Sequence, residues 1–478
     1  MPVAVPANLP PDRVTVDLIE RTLYSRDLAP VPAMMVRPFF QTLPEAVVRP
    51  ADAGQVAEVV RQATRAHVPI TPRAAATTSF YDAVPVRGGL VLDLNDLRGG
   101  IELDAPRQTV RVLPATTWYE LDEALQRTGF AVKSYPSSAL SATVGGWIST
   151  QGHGIGSLKY GAMADQLVAL QVVLPGGETR AVDRQTDPPL EWFVAAEGTL
   201  GVITAVELEV RPRPEVESLH MLSFNDPLSL GSALLHLSRS EARPFTMLFA
   251  DPGYFRLLAR SGFPPPLDLV DDQLVLLACF QGEPGDVRRG RDELVGLRGR
   301  ELPTEAAVEE WGHRLYHLRV KRGGPSLLAA EQWLPLAGLA GYLSAVGRLG
   351  RSACTPIGSY GVVVSPDWAL VMSLYPADER RPMEYLAGIG FTKRLHDLGS
   401  RHGGRPYGVG LWNSAYLSRL FSRQQLTELR RRKARLDPSG VMNPGKLYRA
   451  PFPLWPATFR PGAWVLAAIH VALGRRKR

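Results

Sequence analysis

Over the first 215 residues, apolar positions alternate between helical spacing and short unbroken runs. Val56, Val59, Val60 and Ala63 share one helical face, and Asp52 with Gln55 ahead of them has the spacing of a capping box. This predicts a helix between strands at Leu43–Pro50 and Val68–Thr71, after an amphipathic start (Val14–Leu23) and a proline-rich connection within residues 1–40. Leu90–Leu94 is apolar without a break, as in a strand buried on both faces. Thr109–Leu113 predicts another strand, and Thr117 with Glu120 opens a helix through Leu121, Ala124 and Leu125 that Gly129 ends. A strand at Leu167–Leu174 turns at Gly176-Gly177 into a hairpin, Trp192–Ala196 reads as helical, and a last strand reaches Arg211. Pro212 and Pro214 then mark a domain boundary. Strand, helix, strand, small-residue loop, strand is an order that places ligand-binding loops at strand ends.

From about 216 to 435 the pattern changes. Strands at Thr246–Ala250, Leu274–Phe280, Gly361–Val364 and Leu370–Leu374 alternate with helices at about 227–239, 286–297, 305–319, 335–350 and 382–400. That alternation predicts an antiparallel sheet covered on one side by helices. Residues 436–450 return the chain to the first domain, and 451–478 form an apolar, basic tail.

Ser141–Gly161 (SATVGGWISTQGHGIGSLKYG) fits neither pattern. It holds six glycines among hydroxyl residues, and each interior glycine costs a helix roughly 1 kcal/mol relative to alanine. It therefore reads as loop backbone passing close to a partner, with N–H groups and small hydroxyls suited to a phosphate-bearing cofactor. Trp147, Ile148, Ile155, Leu158 and Tyr160 give it apolar content that a free linker lacks.

Composition narrows the class. With 478 residues, 45% hydrophobic and 21% charged, the chain is globular and long enough for two domains. Its two cysteines, Cys279 and Cys354, suit a reducing compartment, and the start MPVAVPANLPPDRV lacks the charged and apolar regions of a secretory signal. A cytoplasmic protein is expected. The net charge of +7 forms no basic stripe interleaved with aromatics, so no nucleic-acid partner is expected. Pro461–Leu473 is shorter than the roughly 20 residues that span a bilayer. Followed by GRRKR, residues 461–478 read either as a peripheral membrane contact on the inner face or as a helix docked on the protein itself.

Three small-residue segments in order, PRAAATTS, TVGGWISTQGHGIGSLKYG and EGTLGVIT, resemble the FAD-binding domain of the vanillyl-alcohol oxidase and p-cresol methylhydroxylase superfamily over residues 41–215. LDPSGVMNPGKLY (Leu436–Tyr448) resembles the closing motif of the D-lactate dehydrogenase and glycolate oxidase branch. The resemblance implies an α+β protein with a two-part FAD-binding domain and an α+β substrate cap at 216–435. It implies cofactor contacts from Arg73, Ala74, Ala75, Ala76, Thr77, Thr78 and Ser79 in the pyrophosphate loop. Further contacts would come from Pro136, Ser141, Thr143, Gly145, Gly146, Ser149, Thr150, Gly152, His153, Gly156 and Tyr160, and from Glu197, Gly198, Gly201, Val202, Ile203, Asn443 and Lys446.

Departures from the family are informative. Alanines occupy the pyrophosphate loop where the family carries glycines. Thr77 and Ser141 stand where covalent members carry the attaching histidine and cysteine, so FAD is expected to be non-covalent. His153 is read as a lining residue. The branch's histidine-rich metal motif is degraded at RHGGRPYGVGLWN (Arg401–Asn413), where only His402 remains, and no metal is expected. His313 and His317, four apart on one predicted helical face, have no acidic third ligand.

The cap offers Tyr407 as the substrate-hydroxyl contact or proton relay, with Arg405 beside it. In RVKRGGP, followed by Glu331, Gln332 and Trp333, Arg319 or Arg322 is placed to clamp a substrate carboxylate. Trp412 and Asn413 complete the expected pocket. The implied reaction is dehydrogenation of a hydroxyl-bearing small molecule (hydroxy acid, alditol or sugar-like alcohol) by hydride transfer to flavin N5. Electrons would pass to oxygen, a quinone or a protein acceptor such as an iron–sulfur protein. Two alternatives stay open: a flavin enzyme for a lipid-linked or sterol-like substrate, and a non-catalytic flavin subunit of an iron–sulfur complex.

Overall fold

The computed structural model describes residues 9–30, 36–150 and 152–476. The first eight residues, part of the proline-rich connection, Gln151 and the terminal Lys477 and Arg478 lie outside the described residues. The chain forms two compact units. The first comprises Met1–Gly152, Met163–Arg213 and Gly408–Pro456; the second comprises His153–Ala162, Pro214–Tyr407 and Ala457–Arg478. The return to the first unit thus begins at Gly408, earlier than residue 436, and the second half of the glycine-rich stretch belongs with the second unit.

In the first unit, β1 (Val14–Thr15), β2 (Ala46–Val48), β3 (Ile70–Arg73) and β4 (Leu90–Asp93) form a sheet of order β1-β2-β4-β3, parallel except for β1. The helix Ala53–Arg65 crosses between β2 and β3. Asp52 caps it by accepting from the Gln55 N–H, and its Val56, Val59, Val60 and Ala63 are fully buried. The return segment runs beside β3, where Ile70 N–H donates to the Val441 carbonyl at 2.8 Å and Asn443 N–H to the Ile70 carbonyl at 2.7 Å. A second sheet orders β5 (Glu102–Asp104), β6 (Thr109–Val112), β10 (Val202–Pro212), β8 (Leu167–Val173) and β9 (Thr179–Val182), with β7 (Phe130–Val132) pairing β10. Thr117 and Glu120 form the expected capping box, here on the helix Trp118–Gln126.

Three local expectations are corrected. Val144–Ser149 is a short helix rather than loop, capped by Thr143. Its glycines admit a neighbour, since a Cβ on Gly145 would lie 2.6 Å from Pro114 Cβ, and Trp147 packs edge-on to Trp118 at 5.0 Å. Burial there offsets the low helix propensity of glycine. Trp192–Ala196 is not helical; a 3-10 turn occupies Leu190–Trp192. The amphipathic start buries little: the helix Leu18–Leu23 leaves Leu18, Ile19 and Leu23 exposed.

The second unit is one antiparallel sheet of eight strands. In spatial order they are β14 (Arg300–Glu301), β11 (Val216–Phe224), β13 (Leu274–Gly282), β12 (Thr246–Ala250), β16 (Gly358–Val363), β17 (Trp368–Ala377), β15 (Ser326–Pro335) and β18 (Arg405–Pro406). On β15 the even positions face the helices. A Cβ on Gly388 of helix Pro382–Arg401 would come within 2.8 Å of Leu328, and Gln332 donates to the hydroxyl of Tyr342 on helix Leu336–Ala353. Ala329, Glu331 and Trp333 occupy the opposite face.

The tail, helix Pro456–Arg476, docks within the second unit. Gly390 would place a Cβ 2.5 Å from Leu466 Cβ, His470 stacks on Phe391 at 4.5 Å, and Trp464 Nε1 donates to Asp397 at 3.1 Å. Val465 and Ile469 remain exposed on its outer side. Among the described residues no helix is long and apolar enough to cross a membrane.

Candidate active site

In the first unit, β3 ends at Arg73 and the chain enters the alanine-rich loop. Among the described residues, the N–H groups of Ala75, Ala76, Thr77, Thr78 and Ser79 donate to no protein acceptor. Such a run of backbone donors is what a diphosphate requires. Ala76 alone of the three alanines has a left-handed backbone, φ +50°. Arg73 Nη1 donates to the backbone carbonyls of Tyr24, Arg26 and Ala83, tying the start of the loop to the N-terminal segment.

Behind this loop lies a buried charge cluster. Lys446 Nζ donates to the carbonyls of Asp82 and Val84, each at 2.6 Å, and to Asn443 Oδ1 at 2.7 Å. All three N–H bonds of the ammonium are therefore used within the protein. Asn443 Nδ2 donates to the carbonyls of Asp82 at 3.0 Å and Glu197 at 2.6 Å. Asn443 and Lys446 therefore clamp the return segment onto the other two loops instead of reaching for the cofactor themselves. Asp82 accepts from the Thr78 hydroxyl at 2.6 Å, and Glu197 from the Gly410 N–H at 2.8 Å. Asp82 Oδ1 and Glu197 Oε2 are buried without a partner. Burial pushes Asp82 up to about 6 and Asp27, beside it, up to about 7, raises Glu197 well above the carboxylate range, and brings Lys446 down to about 8.

The remaining expected cofactor residues divide by role. Ser141 and Gly146 are exposed, and Ser149 and Thr150 half-buried, around the short helix that Thr143 caps; Pro136 opens the turn before it, accepting from Ala139 N–H at 3.0 Å. The Ser149 carbonyl accepts from Glu197 N–H at 2.9 Å, joining the second loop to the third. Gly198 lies against Pro72, and a Cβ on Gly152 would strike the Trp147 ring at 2.7 Å. Gly201 admits Val172 and the Val173 carbonyl, while Val202 and Ile203 are buried in β10. These three serve sheet packing. His153, Gly156 and Tyr160 fall in the second unit: Gly156 caps the turn Ser157–Tyr160, and Tyr160 meets Phe245 edge-on at 6.2 Å.

In the second unit, residues paired directly across antiparallel strands share a face. Glu331 pairs Met372, and Met372 pairs Tyr360. Tyr407 continues the row beyond Glu331, its N–H donating to the Glu331 carbonyl at 3.0 Å. Tyr360 stacks on His317 at 5.0 Å and 11°. Near it, Arg319 is 2% exposed and pairs through Nη2 with Glu310 at 2.7 Å, while its Nε and Nη1 and the Nδ1 of His317 are buried with no partner. Burial, then the Arg319 charge, hold His317 down to about 4, so its ring is neutral. At the other end of the row His153 meets Trp333 edge-on at 4.6 Å.

Other expectations for this unit change. Arg322 is exposed and lies over the Phe263 ring at 5.4 Å, and Arg405 is exposed over Trp333 and Trp368 at 5.7 and 5.6 Å; both are held by aromatic faces. Arg319 is no free bidentate clamp, because Glu310 takes one side of it. Asn413 is buried in the first unit, donating to the Gly408 carbonyl at 3.2 Å, and Trp412 donates its N–H to the Phe80 carbonyl there. His313 and His317 are not on one helix: the helix ends at Gly312 and a 3-10 helix starts at His317. Among the described residues no three acidic, histidine or cysteine groups converge as a metal site. Tyr360 carries no signal in the sequence; His317 entered there only beside His313 as a discounted ligand pair, and Glu331 only as part of the segment following RVKRGGP.

Comparison with known proteins gives the class and then the family. The fold is that of p-cresol methylhydroxylase with substrate bound (TM-score 0.77, 17% identity, 92% of this chain and 94% of that one) and of alkyldihydroxyacetonephosphate synthase (TM-score 0.74, 20% identity, 92% and 84%). Residues 44–183 match the FAD binding domain family, and residues 213–447 match the C-terminal domain of FAD linked oxidases. The chain belongs to the FAD-linked oxidases and is an FAD-dependent oxidoreductase acting on CH–OH groups. It is 24% identical to the glycolate oxidase subunit GlcD of Bacillus subtilis, over 90% of this chain and 92% of that one. It is 25% identical to the mitochondrial D-lactate dehydrogenase [cytochrome] of Arabidopsis thaliana (85% and 73%), and 26% identical to an uncharacterized FAD-linked oxidoreductase of Mycobacterium tuberculosis (85% and 91%). The unpaired amides of the alanine loop fit the diphosphate of FAD.

Proposed function

We propose that the substrate is a 2-hydroxy acid, held by its carboxylate at Arg319. The observation that carries this reading is a buried guanidinium with one nitrogen committed to Glu310 and two nitrogens without any acceptor. Leaving charged donors unsatisfied in a buried place costs several kcal/mol, and an anionic ligand group removes that cost. The neutral His317 ring and the Tyr360 hydroxyl add uncharged donors beside it. The relatives named for glycolate and D-lactate make small hydroxy acids the first class to try.

FAD, when bound, supplies the two-electron acceptor. In the first unit, the Ala75–Ser79 amides hold its diphosphate, and the Lys446 cluster fixes the three loops around it. In the second, Arg319 orients the acid and Trp333 and Tyr407 wall the row. Electrons then leave to oxygen, a quinone or a protein acceptor. The test is anaerobic titration of the flavin absorbance with free hydroxy acids, their methyl esters, alditols and long-chain alcohols. Bleaching by an acid but not by its ester is expected. Bleaching by an alditol or lipid alcohol, with none by any acid, overturns the reading.

A further inference from the structure

We infer that Glu331 is the proton acceptor for the substrate hydroxyl. The inference rests on the hydroxy-acid reading above and adds the group that completes it.

Glu331 lies in β15 on the face opposite helices Leu336–Ala353 and Pro382–Arg401; two strands away, at Tyr360, the same face is packed by Tyr254 of helix Pro252–Arg260 and by His317. Its carboxylate takes no hydrogen bond and no ion pair among the described residues, and neither oxygen is sealed from solvent. Structural glutamates in a sheet interior are paired or bonded, because burying an unpartnered carboxylate is costly. A lone acid that stays reachable has the properties of a working acid–base group. Its neighbours in β17 carry no charge: Met372 stands opposite, with Leu374 and Leu370 on either side.

The titratable and charged groups around it can be named. Tyr407 adjoins it from the β18 side. Tyr360 stands two strands away across Met372, with His317 stacked on it and Arg319 beyond. Arg405 is turned onto the Trp333 and Trp368 rings, and His153 onto Trp333. With strands about 4.8 Å apart, the Cα atoms of Glu331 and Tyr360 are separated by roughly 10 Å. Met372 stands between them on the same face. Burial alone moves the Glu331 carboxyl up to about 7, where it exchanges a proton readily under neutral conditions.

The step balances. The carbinol O–H bond breaks and its proton bonds to a Glu331 carboxylate oxygen, while the oxygen lone pair forms the second C–O bond. FAD, when bound, would supply the two-electron oxidant that takes the carbon–hydrogen pair. A 2-oxo acid and a neutral Glu331 carboxyl result, and the carboxyl returns its proton to water.

Glu331→Gln keeps the shape and removes the base. In the FAD-loaded enzyme, the variant is expected to bind a 2-oxo acid, read by calorimetry, within about 3-fold of wild type. The anaerobic rate of flavin reduction by the hydroxy acid falls 10²- to 10⁴-fold, and the rise of that rate with pH through neutrality disappears. Equal rates with an unchanged pH profile overturn the assignment. Infrared difference spectra against pH give a readout independent of any substrate. Asp27 and Asp82 are also pushed up to about 7 and 6, so the readout is the wild-type minus Glu331→Gln spectrum, which is expected to hold a protonated-carboxyl band that fades as pH rises through neutrality. No such band in that difference overturns the assignment even if no hydroxy acid is oxidised. Bleaching by no hydroxy acid, with the band present as expected, overturns the substrate reading instead.

Discussion

The Gly410 N–H donates to Glu197 Oε1 at 2.8 Å, joining two residues far apart in sequence inside the first unit. Gly410 is there because nothing larger fits: with φ +47°, a Cβ would lie 2.0 Å from the Phe80 carbonyl and 2.1 Å from Asp82 Oδ1. Glu197 thus receives the returning chain on its side chain and, through its carbonyl, the Asn443 amide at 2.6 Å. The EGTLG segment is a structural hub for the cofactor loops as well as a part of their wall.

This hub makes stability depend on pH. Asp82 and Asp27 are raised to about 6 and 7, so the folded state binds more protons than the unfolded state between pH about 4 and those values. Their stabilising contribution is full at acid pH and is lost as pH rises through that window. Asp82→Asn should therefore unfold at a higher temperature than wild type at pH 7.5, by up to roughly 3 kcal/mol at about 1.4 kcal/mol per pKa unit. The difference should shrink by pH 4.5. Thermal unfolding followed by circular dichroism at both pH values decides, and a constant gap contradicts the assignment.

The three alanines of the pyrophosphate loop should respond differently to glycine. Ala76 sits at φ +50°, a conformation costing a non-glycine residue about 1–2 kcal/mol, whereas Ala74 and Ala75 carry no positive φ. Ala76→Gly should leave stability unchanged or raise it by up to about 1 kcal/mol. Ala75→Gly should lower it by about 0.5–1 kcal/mol through the greater freedom of the unfolded chain. Urea unfolding of the two variants gives the comparison, and equal losses would count against the loop conformation.

Much of this architecture is legible in the sequence because local signals and tertiary packing agree. Asp52, Thr117 and the Val56–Ala63 face specify helices that the fold keeps. Ser326–Pro335 was not legible: SLLAAEQWLP is rich in good helix formers, and only its ten-residue pairing with β17 makes it a strand. Glu331 was hidden with it, since a lone acid has meaning only once its face is known. Val144–Ser149 failed in the opposite sense, because glycine's helix penalty hid a contact with Pro114 that requires glycine. Lys446 and Asn443 were seen as site residues from their motif, but that they point at backbone carbonyls is a property of the packed loops.

Docking of the tail should be sensitive at Gly390. A Cβ there would lie 2.7 Å from the Ala463 carbonyl and 2.5 Å from Leu466 Cβ, and neither is the end of a flexible chain. Gly390→Val should destabilise by about 1–3 kcal/mol through overpacking and free the Pro456–Arg476 helix to proteases. Limited proteolysis with mass analysis reads the release. A variant as resistant as wild type would mean that the helix is not held by this face. Replacing the outward Val465 and Ile469 by serine should leave that resistance intact, and sedimentation of both proteins with anionic vesicles tests whether the outer face meets lipid.

The flavin should leave with the solvent when the protein is denatured. Covalent attachment requires a nucleophile that ionises within reach of neutral pH, as a thiolate or imidazole does. Thr77 and Ser141, which the sequence resemblance sets at the attaching positions, have hydroxyls that do not, and Ser141 is exposed with its hydroxyl turned to the Ser138 carbonyl at 3.4 Å. His153, the nearby imidazole, stands edge-on to Trp333 in the second unit. Acid precipitation of the yellow holoenzyme should therefore give a colourless pellet and a yellow supernatant, with the intact protein mass equal to that of the chain. A yellow pellet, with a protein mass increased by that of the flavin, would overturn the non-covalent reading.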